Sequence, residues 1–519
     1  MGLVYSSRNS FAQSMKSMAQ KVPNAPGMSA PMLHVLELPP FVDPLPLPQA
    51  WEHPVTQSDK LRIAMREIHH KVHRDLPPTR MWSYGPTALG PVIQARSGHP
   101  LQIEWINNLP TRHFLPIDHS LHGCGHDIPD VRAVTHVHGA RVPSKDDGYP
   151  EDWFVPGKSR ICTYPLEQEA ATLWYHDHAM GLNRLNSYAG LFGMFLIRDK
   201  VEDDLHLPAG KYEVPLILYD RDFATDGQLY YPSSGDPEHP WVPEFNADGI
   251  LINGKIRPYF EVEPRLYRFR VVNVANSRFF NLSLSNGQPF VQIGSDQGLL
   301  AAPVEMKRLM LAPAERADLL LDLTQSAGQT VHLRTGGLDI LELRVAGSST
   351  SAAGQTYSIP TSLRTIPRTP ESAAIVTRTI TLHEYKDRYD RSMVMLLNRK
   401  HWHEPTTEFP KLNSTEIWEF VNLTEDVHPM HLHLVRFQIL DRRPFDMNVY
   451  LRTKKFHFTA EASPPEANEL GWKDTVQCHD SVITRVIVRF EGYPGKYLYH
   501  CHILEHEAND MMRPFEVIA

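Results

Sequence analysis

The chain has 519 residues, too many for one hydrophobic core, and its length suggests roughly three domains. With 42% apolar and 22% charged residues it has the make-up of an ordinary globular protein, and a net charge of −8 spread over this length offers no basic face for nucleic acid. No run approaches the apolar length that crosses a bilayer, so neither nucleic acid nor a membrane is expected among its partners.

In chain order, residues 1–32 make a polar leader rich in small residues, without the continuous apolar core of a secretory signal, and are expected to be disordered. Short runs rich in β-branched and aromatic residues follow at 101–106, 190–197, 214–219, 267–272 and 485–490, separated by Pro, Gly, Asn and Asp. The 43 prolines suit many turns better than long helices. An all-β protein of repeated sandwiches is predicted. Charged or Ser/Thr/Pro-rich stretches at 199–210 and 347–372 read as linkers. They divide the chain into domains at 33–199, 205–346 and 373–519.

Histidines respect this division. The middle domain holds only the isolated His206, His239 and His332, whereas the outer two carry four His-x-His pairs: His136/His138, His176/His178, His431/His433 and His500/His502. On a strand, side chains two apart share a face, so each pair presents two imidazoles together. Such a pair taken alone is more often a half-buried polar group than a ligand. Four pairs in two domains, one with an intervening cysteine, point to metal.

That cysteine, Cys501, projects from the opposite face of its strand. His506 and Met511 follow within a short turn, and this Cys, His and Met set suits a blue electron-transfer copper. The three-residue step from His428 to His431 turns His428 away from its neighbours, so it can supply a second imidazole beside Cys501. Zinc is the rival, but closed zinc sites favour paired cysteines, and no Cys-x-x-Cys occurs. Of the other three cysteines, Cys124, Cys162 and Cys478, at least one stays free or pairs between chains, and Cys124 and Cys162 could bridge or stay reduced.

These motifs, with the runs at 73–80, 174–185, 267–271, 311–316, 471–475 and 500–514, resemble those of the multicopper oxidases, in particular the bacterial spore-coat laccase group, itself similar to bilirubin oxidases. The resemblance implies three cupredoxin-like Greek-key sandwich domains and four copper ions. A type 1 copper would be held by His428, Cys501 and His506 with Met511 axial. A type 2 copper would take His136 and His431. A type 3 pair would take His138, His176 and His502 on one ion, and His178, His433 and His500 on the other. The middle domain would be a ligand-free spacer.

The resemblance also implies a laccase reaction, in which phenols or aromatic amines give up single electrons and dioxygen is reduced to water. Bilirubin oxidase is the alternative, followed by a cuprous or ferrous ion oxidase, although acids beside the type 1 site are not evident. A copper nitrite reductase would not need the type 3 histidines, and a copper store would hold the same ligands without consuming oxygen. His506, as an exposed imidazole, would meet the aromatic or tetrapyrrole reductant, and Cys501 would receive the electron. Glu507 and Asp147 match carboxylates near the oxygen-reducing cluster and would relay protons. Asp474 reads equally as a histidine-orienting group or a turn residue, and Trp174 and Tyr175 as core. The group's middle-domain cysteine pair is missing, so the cleft rim around Glu244, Phe245 and Asn246 is expected to differ. A monomer is self-sufficient, and only family analogy bears on location, spore coat or cytoplasm.

Overall fold

The computed structural model describes residues 32–48, 50–52, 60–348 and 357–519. The leader expected over 1–32 therefore lies outside the described residues, except Met32. Six sheets stand in three pairs, and the described helices are short, such as Asn183–Ala189 and Met447–Thr453. None is long and apolar enough to cross a membrane.

The first pair joins a sheet in the order Ala50–Glu52, Val92–Arg96, Phe192–Arg198, Ala171–Asp177, Thr135–His138 to one in the order Thr79–Ser83, Leu61–His70, Leu101–Asn108, Ser159–Tyr164. Alternation explains the packing. In Leu101–Asn108 the side chains of Leu101, Ile103 and Trp105 are buried, while Gln102 faces water. The third pair holds the strands that carry the remaining histidines, in the order Thr475–Cys478, His428–Leu432, Gly495–Cys501, Met512–Val517. One continuous apolar cluster runs through the first and third pairs, and a second fills the middle pair. The expected runs at 214–219, 267–272 and 485–490 fall on Glu213–Phe223, Leu266–Asn273 and Val482–Arg489. The all-β sandwich expectation is met.

The connections are more ordered than their composition suggests. In the break at 199–210, Asp199 caps the helix Lys200–Asp204 by accepting from the Glu202 amide. Glu202 is buried and paired with Arg268 and Arg270 of the middle sheet. That junction is a joint sealed by charge rather than a free tether, because a buried carboxylate is tolerable only with such partners.

Residues 33–46 run along the middle sandwich, with hydrogen bonds from Leu33 to the Phe223 carbonyl (2.9 Å) and from Leu45 to that of Tyr259 (2.7 Å). The described part of the 347–372 stretch touches every sandwich. Leu363 donates to Ala301, Arg364 pairs with Asp199, and Arg368 donates to Ile439.

Candidate metal centre

Strand pairing builds the centre. Thr135–His138 pairs antiparallel with Ala171–Asp177, setting His136 opposite His176. His428–Leu432 pairs with Gly495–Cys501, setting His431 opposite His500 and Met430 opposite Cys501. The first and third sandwiches meet where these pairs face each other. There the rings of His138 and His431 stack at 3.6 Å, and those of His136 and His433 at 3.9 Å.

On the thiolate side, Cys501 Sγ lies 3.5 Å from His428 Nδ1 and 3.7 Å from His506 Nδ1, and the two nitrogens are 3.2 Å apart. Donors about 2.0–2.3 Å from one shared ion have such separations. The outer nitrogens are occupied: His428 Nε2 meets the Thr424 hydroxyl at 2.7 Å, and His506 Nε2 meets Glu244 Oε2 at 3.1 Å. Their Nδ1 atoms are thereby left as lone-pair donors facing the sulfur. The turn Leu504–Ala508 brings His506 back beside Cys501, and the Met511 amide closes it on the His506 carbonyl (2.9 Å). Met511 is fully buried, and its carbonyl accepts from the Cys501 amide. Burial pushes the Cys501 thiol well up, so a thiolate here requires a cation beside it.

On the imidazole side the remaining eight histidines form three groups whose donor atoms lie within 4.8 Å of one another: His136, His431 and His433; His138, His176 and His502; His178, His433 and His500. All are buried. Burial holds His136, His138, His176, His431 and His433 well below the usual imidazole range, His178 at about 4 and His502 at about 3, so these rings are neutral near pH 7. Nδ1 of His136, His176 and His431 donates to the carbonyls of Asp147 (2.6 Å), Asp177 (2.9 Å) and Asp474 (2.7 Å). Each Nε2 then carries a lone pair, and none of the three has a hydrogen-bond partner. A buried acceptor without a partner costs about 1–3 kcal/mol, and this cluster holds three. A cation resolves this, and a ring fixed through its other nitrogen is the usual arrangement of a ligating histidine. The donor set, soft on one side of the strand and all-imidazole on the other, fits copper.

Three acids border the imidazoles. Glu507 accepts from Asn183 Nδ2 at 2.6 Å and lies 3.1 Å from His500 Nδ1 and 3.4 Å from His178 Nε2. Burial would raise its carboxyl, but His500 and His178 outweigh that and hold it at about 2. Asp147 meets His433 Nδ1 at 2.8 Å, and burial raises it well above the usual carboxylate range. Asp474 meets His138 Nε2 at 3.1 Å, so it is a histidine-orienting group here and not merely a turn residue. Trp174 is core, as expected, but it also stacks on His176 at 4.3 Å.

Two expectations are corrected. His506 is not an exposed imidazole: it is fully buried, because Glu244 from the middle sandwich sits on its outer nitrogen. Acids beside the thiolate side, not evident in the sequence, are thus present. The middle sandwich gives no ligand atom to any group among the described residues, yet it is not a bystander. Beyond Glu244, its Tyr231, Asn276 and Ser277 all donate to the buried Glu505, and Arg316 and Gln297 reach Asp474. At the expected cleft rim, Phe245 packs edge-on against Tyr188 and Tyr231. Cys124 and Cys162 are unbridged and buried, as is Cys478. Sequence reading passed over Asn183, Arg316 and Gln297, although Asn183 and Arg316 lie inside runs that carried the family resemblance.

Family models described as multicopper oxidase match residues 127–202, 222–333 and 375–519. The chain is 44% identical over 509 residues to a laccase of Bacillus subtilis (strain 168), covering 92% of this chain and 98% of that one. It is 42% identical to a laccase of Bacillus stratosphericus, covering 92% and 99%. Among solved structures, the McoA multicopper oxidase of the hyperthermophile Aquifex aeolicus superposes with a TM-score of 0.76 at 28% identity, over 92% of this chain and 99% of that one. The chain belongs to the multicopper oxidase family and is a copper-dependent oxidoreductase that uses oxygen.

Proposed function

We propose that the protein is a laccase, taking single electrons from phenols and aromatic amines and reducing dioxygen to water. The observation that carries this reading is the pair of donor sets gathered on opposite faces of one strand, with the donor atoms of each group within 4.8 Å of one another. His428, Cys501 and His506 with Met511 would hold a type 1 copper and His136 with His431 a type 2 copper. His138, His176 and His502, and His178, His433 and His500, would hold the type 3 pair. Bound copper would supply one-electron oxidation on the thiolate side and dioxygen reduction on the imidazole side. The chain's part is to join the two: the peptides on either side of Cys501 lead directly to His500 and His502. Division into domains at 33–199, 205–346 and 373–519 accords with this, since the imidazoles come from the outer two and one chain completes the set.

The protein also handles protons. Glu507 Oε2 stands 3.1 Å from His500 Nδ1 and Asp147 Oδ2 stands 2.8 Å from His433 Nδ1, so each carboxyl accepts from a ring whose Nε2 stays free to ligate. Two buried carboxyls in contact with these rings suit a reaction that consumes protons.

On the reductant side, Glu244, which burial raises to about 7, lies against His506, with Asp426 and the Lys386-paired Glu384 close enough to act on one or the other. This acidic edge favours groups that donate hydrogen bonds, such as phenol hydroxyls and aniline nitrogens, and opposes a tetrapyrrole carrying two carboxylates. It also gives a second reading, oxidation of a ferrous or cuprous ion, a specific footing. Copper content and the visible spectrum, with oxygen uptake on a phenol, an aniline, bilirubin, ferrous and cuprous ions, test all of these. Uptake fastest with bilirubin would overturn the laccase reading.

A further inference from the structure

The middle sandwich makes a connection to the imidazole side that a spacer would not need. Arg316 begins the strand Arg316–Asp322 and is 1% exposed. A guanidinium has five N–H donors, and here all are used. Nε donates to the Thr172 carbonyl (2.9 Å), Nη1 to the Ala314 carbonyl (3.0 Å) and Asp474 Oδ1 (2.8 Å), and Nη2 to the Asp296 carbonyl (2.9 Å) and Asp474 Oδ2. Thr172 lies on the strand that carries His176, and Asp474 borders the strand opposite His428–Leu432, so one side chain ties all three sandwiches. Gln297 adds a second tie: its Nε2 donates to Asp474 Oδ2 (2.6 Å) and to the carbonyl of Gly139 (2.9 Å), the residue after His138.

Asp474 is the point where these ties meet the histidines. Its Oδ1 lies 3.1 Å from His138 Nε2, and its backbone carbonyl accepts from His431 Nδ1. The first contact makes Nε2 the protonated nitrogen of His138 and leaves Nδ1, which has no partner, as its lone-pair donor. The segment around Asp474 is gripped on both sides. Lys473 Nζ meets Asp296 at 2.9 Å and Glu315 at 3.0 Å, and Gln477 donates to Glu315 at 2.6 Å. Gly139 shows how closed the arrangement is. Its φ is +87°, and a Cβ there would come within 2.6 Å of Asp474 Oδ2, 2.6 Å of Gln297 Nε2 and 2.9 Å of Arg316 Nη2.

We propose that Arg316 and Gln297 are positioning residues of the middle sandwich, which fix Asp474 and through it set the orientation of His431 and the tautomer of His138. This rests on the reading that His431 and His138 hold copper. Arg316 is a fork that matches both carboxylate oxygens at once, so Lys, with one point charge, does not replace it.

The test compares copper-loaded full-length Arg316→Lys and Gln297→Leu with wild type and with Arg268→Lys. The last is an equally buried arginine paired with Glu202 and Asp318, away from the histidines. Copper per chain, blue absorption and the type 2 paramagnetic resonance signal are measured. Loss of an outer partner typically weakens metal binding about 10- to 100-fold. Arg316→Lys and Gln297→Leu are therefore expected to lose or shift the type 2 signal under dilute chelator, with the blue band per chain unchanged. Arg268→Lys should keep both signals. An unchanged type 2 signal in both test variants, or an equal loss in Arg268→Lys, overturns the positioning role. A wild type without a type 2 signal overturns instead the ligand reading beneath it. Should Arg316→Lys fail to fold, Gln297→Leu decides alone, since it removes a neutral side chain and strands no buried charge.

Discussion

The two sides of the strand Gly495–Cys501 are stabilised in different ways. On the imidazole side, rings are held by backbone carbonyls or by fully buried carboxylates, and walls from two sandwiches close around them. On the thiolate side, His428, Cys501, His506 and Met511 all come from the last sandwich, and the outermost nitrogen ends on Glu244, a side chain 21% exposed from another sandwich. Backbone contacts cannot be exchanged without refolding, whereas a side-chain contact at the surface can. The first side is therefore built to keep donors still, and the second to keep one edge adjustable to a reductant.

The contrast can be broken most severely at its hinge. Cys501→Ser should abolish blue absorption and turnover while imidazole-side copper stays bound, as copper per chain would reveal; loss of all copper would mean that the two sides are one unit. Next, Glu507→Gln should slow oxygen consumption about 100-fold while anaerobic reduction by a phenol proceeds at the wild-type rate. Equal slowing of both phases in stopped flow would sink the division of labour. Glu244→Gln should raise the KM for a cationic reductant roughly 3- to 10-fold and leave an anionic one of similar potential unaffected or improved. A uniform change in kcat instead would make Glu244 part of the rigid side. The smallest effect is expected from Met511→Leu, a rise of tens of millivolts in the thiolate-side potential, because a thioether donor would favour the oxidised metal; an unchanged or lower value in a redox titration would remove Met511 from the donor set.

Much of the centre was legible because strand periodicity is local. His136/His138 and His500/His502 are two residues apart, and the odd step at His428 already placed that ring on the other face; the groupings seen in space follow the same division. What escaped were contacts between residues remote in sequence. Gln297 and Asp474 are 177 positions apart, and Glu244 and His506 262 apart. Neither Gln297 nor Glu244 sits in a periodic pattern that marks a ligand. The expectation of an exposed His506 failed for this reason: whether a ring is covered depends on a loop of another sandwich. The linkers misled differently, since charge and proline content resemble those of flexible chain, whereas Glu202 and Arg364 are ordered by partners that composition does not reveal.

The register of His428–Leu432 against Gly495–Cys501 constrains how such a gene can change length. One residue inserted within either strand would reverse the facing of everything beyond it, exchanging thiolate for imidazole chemistry. Two would restore the facing but displace each donor by nearly 7 Å, farther than any shared ion could span. Insertions and deletions can therefore survive only in the turns outside these segments, and scanning insertion mutagenesis should trace both strands as short, absolute gaps in tolerance.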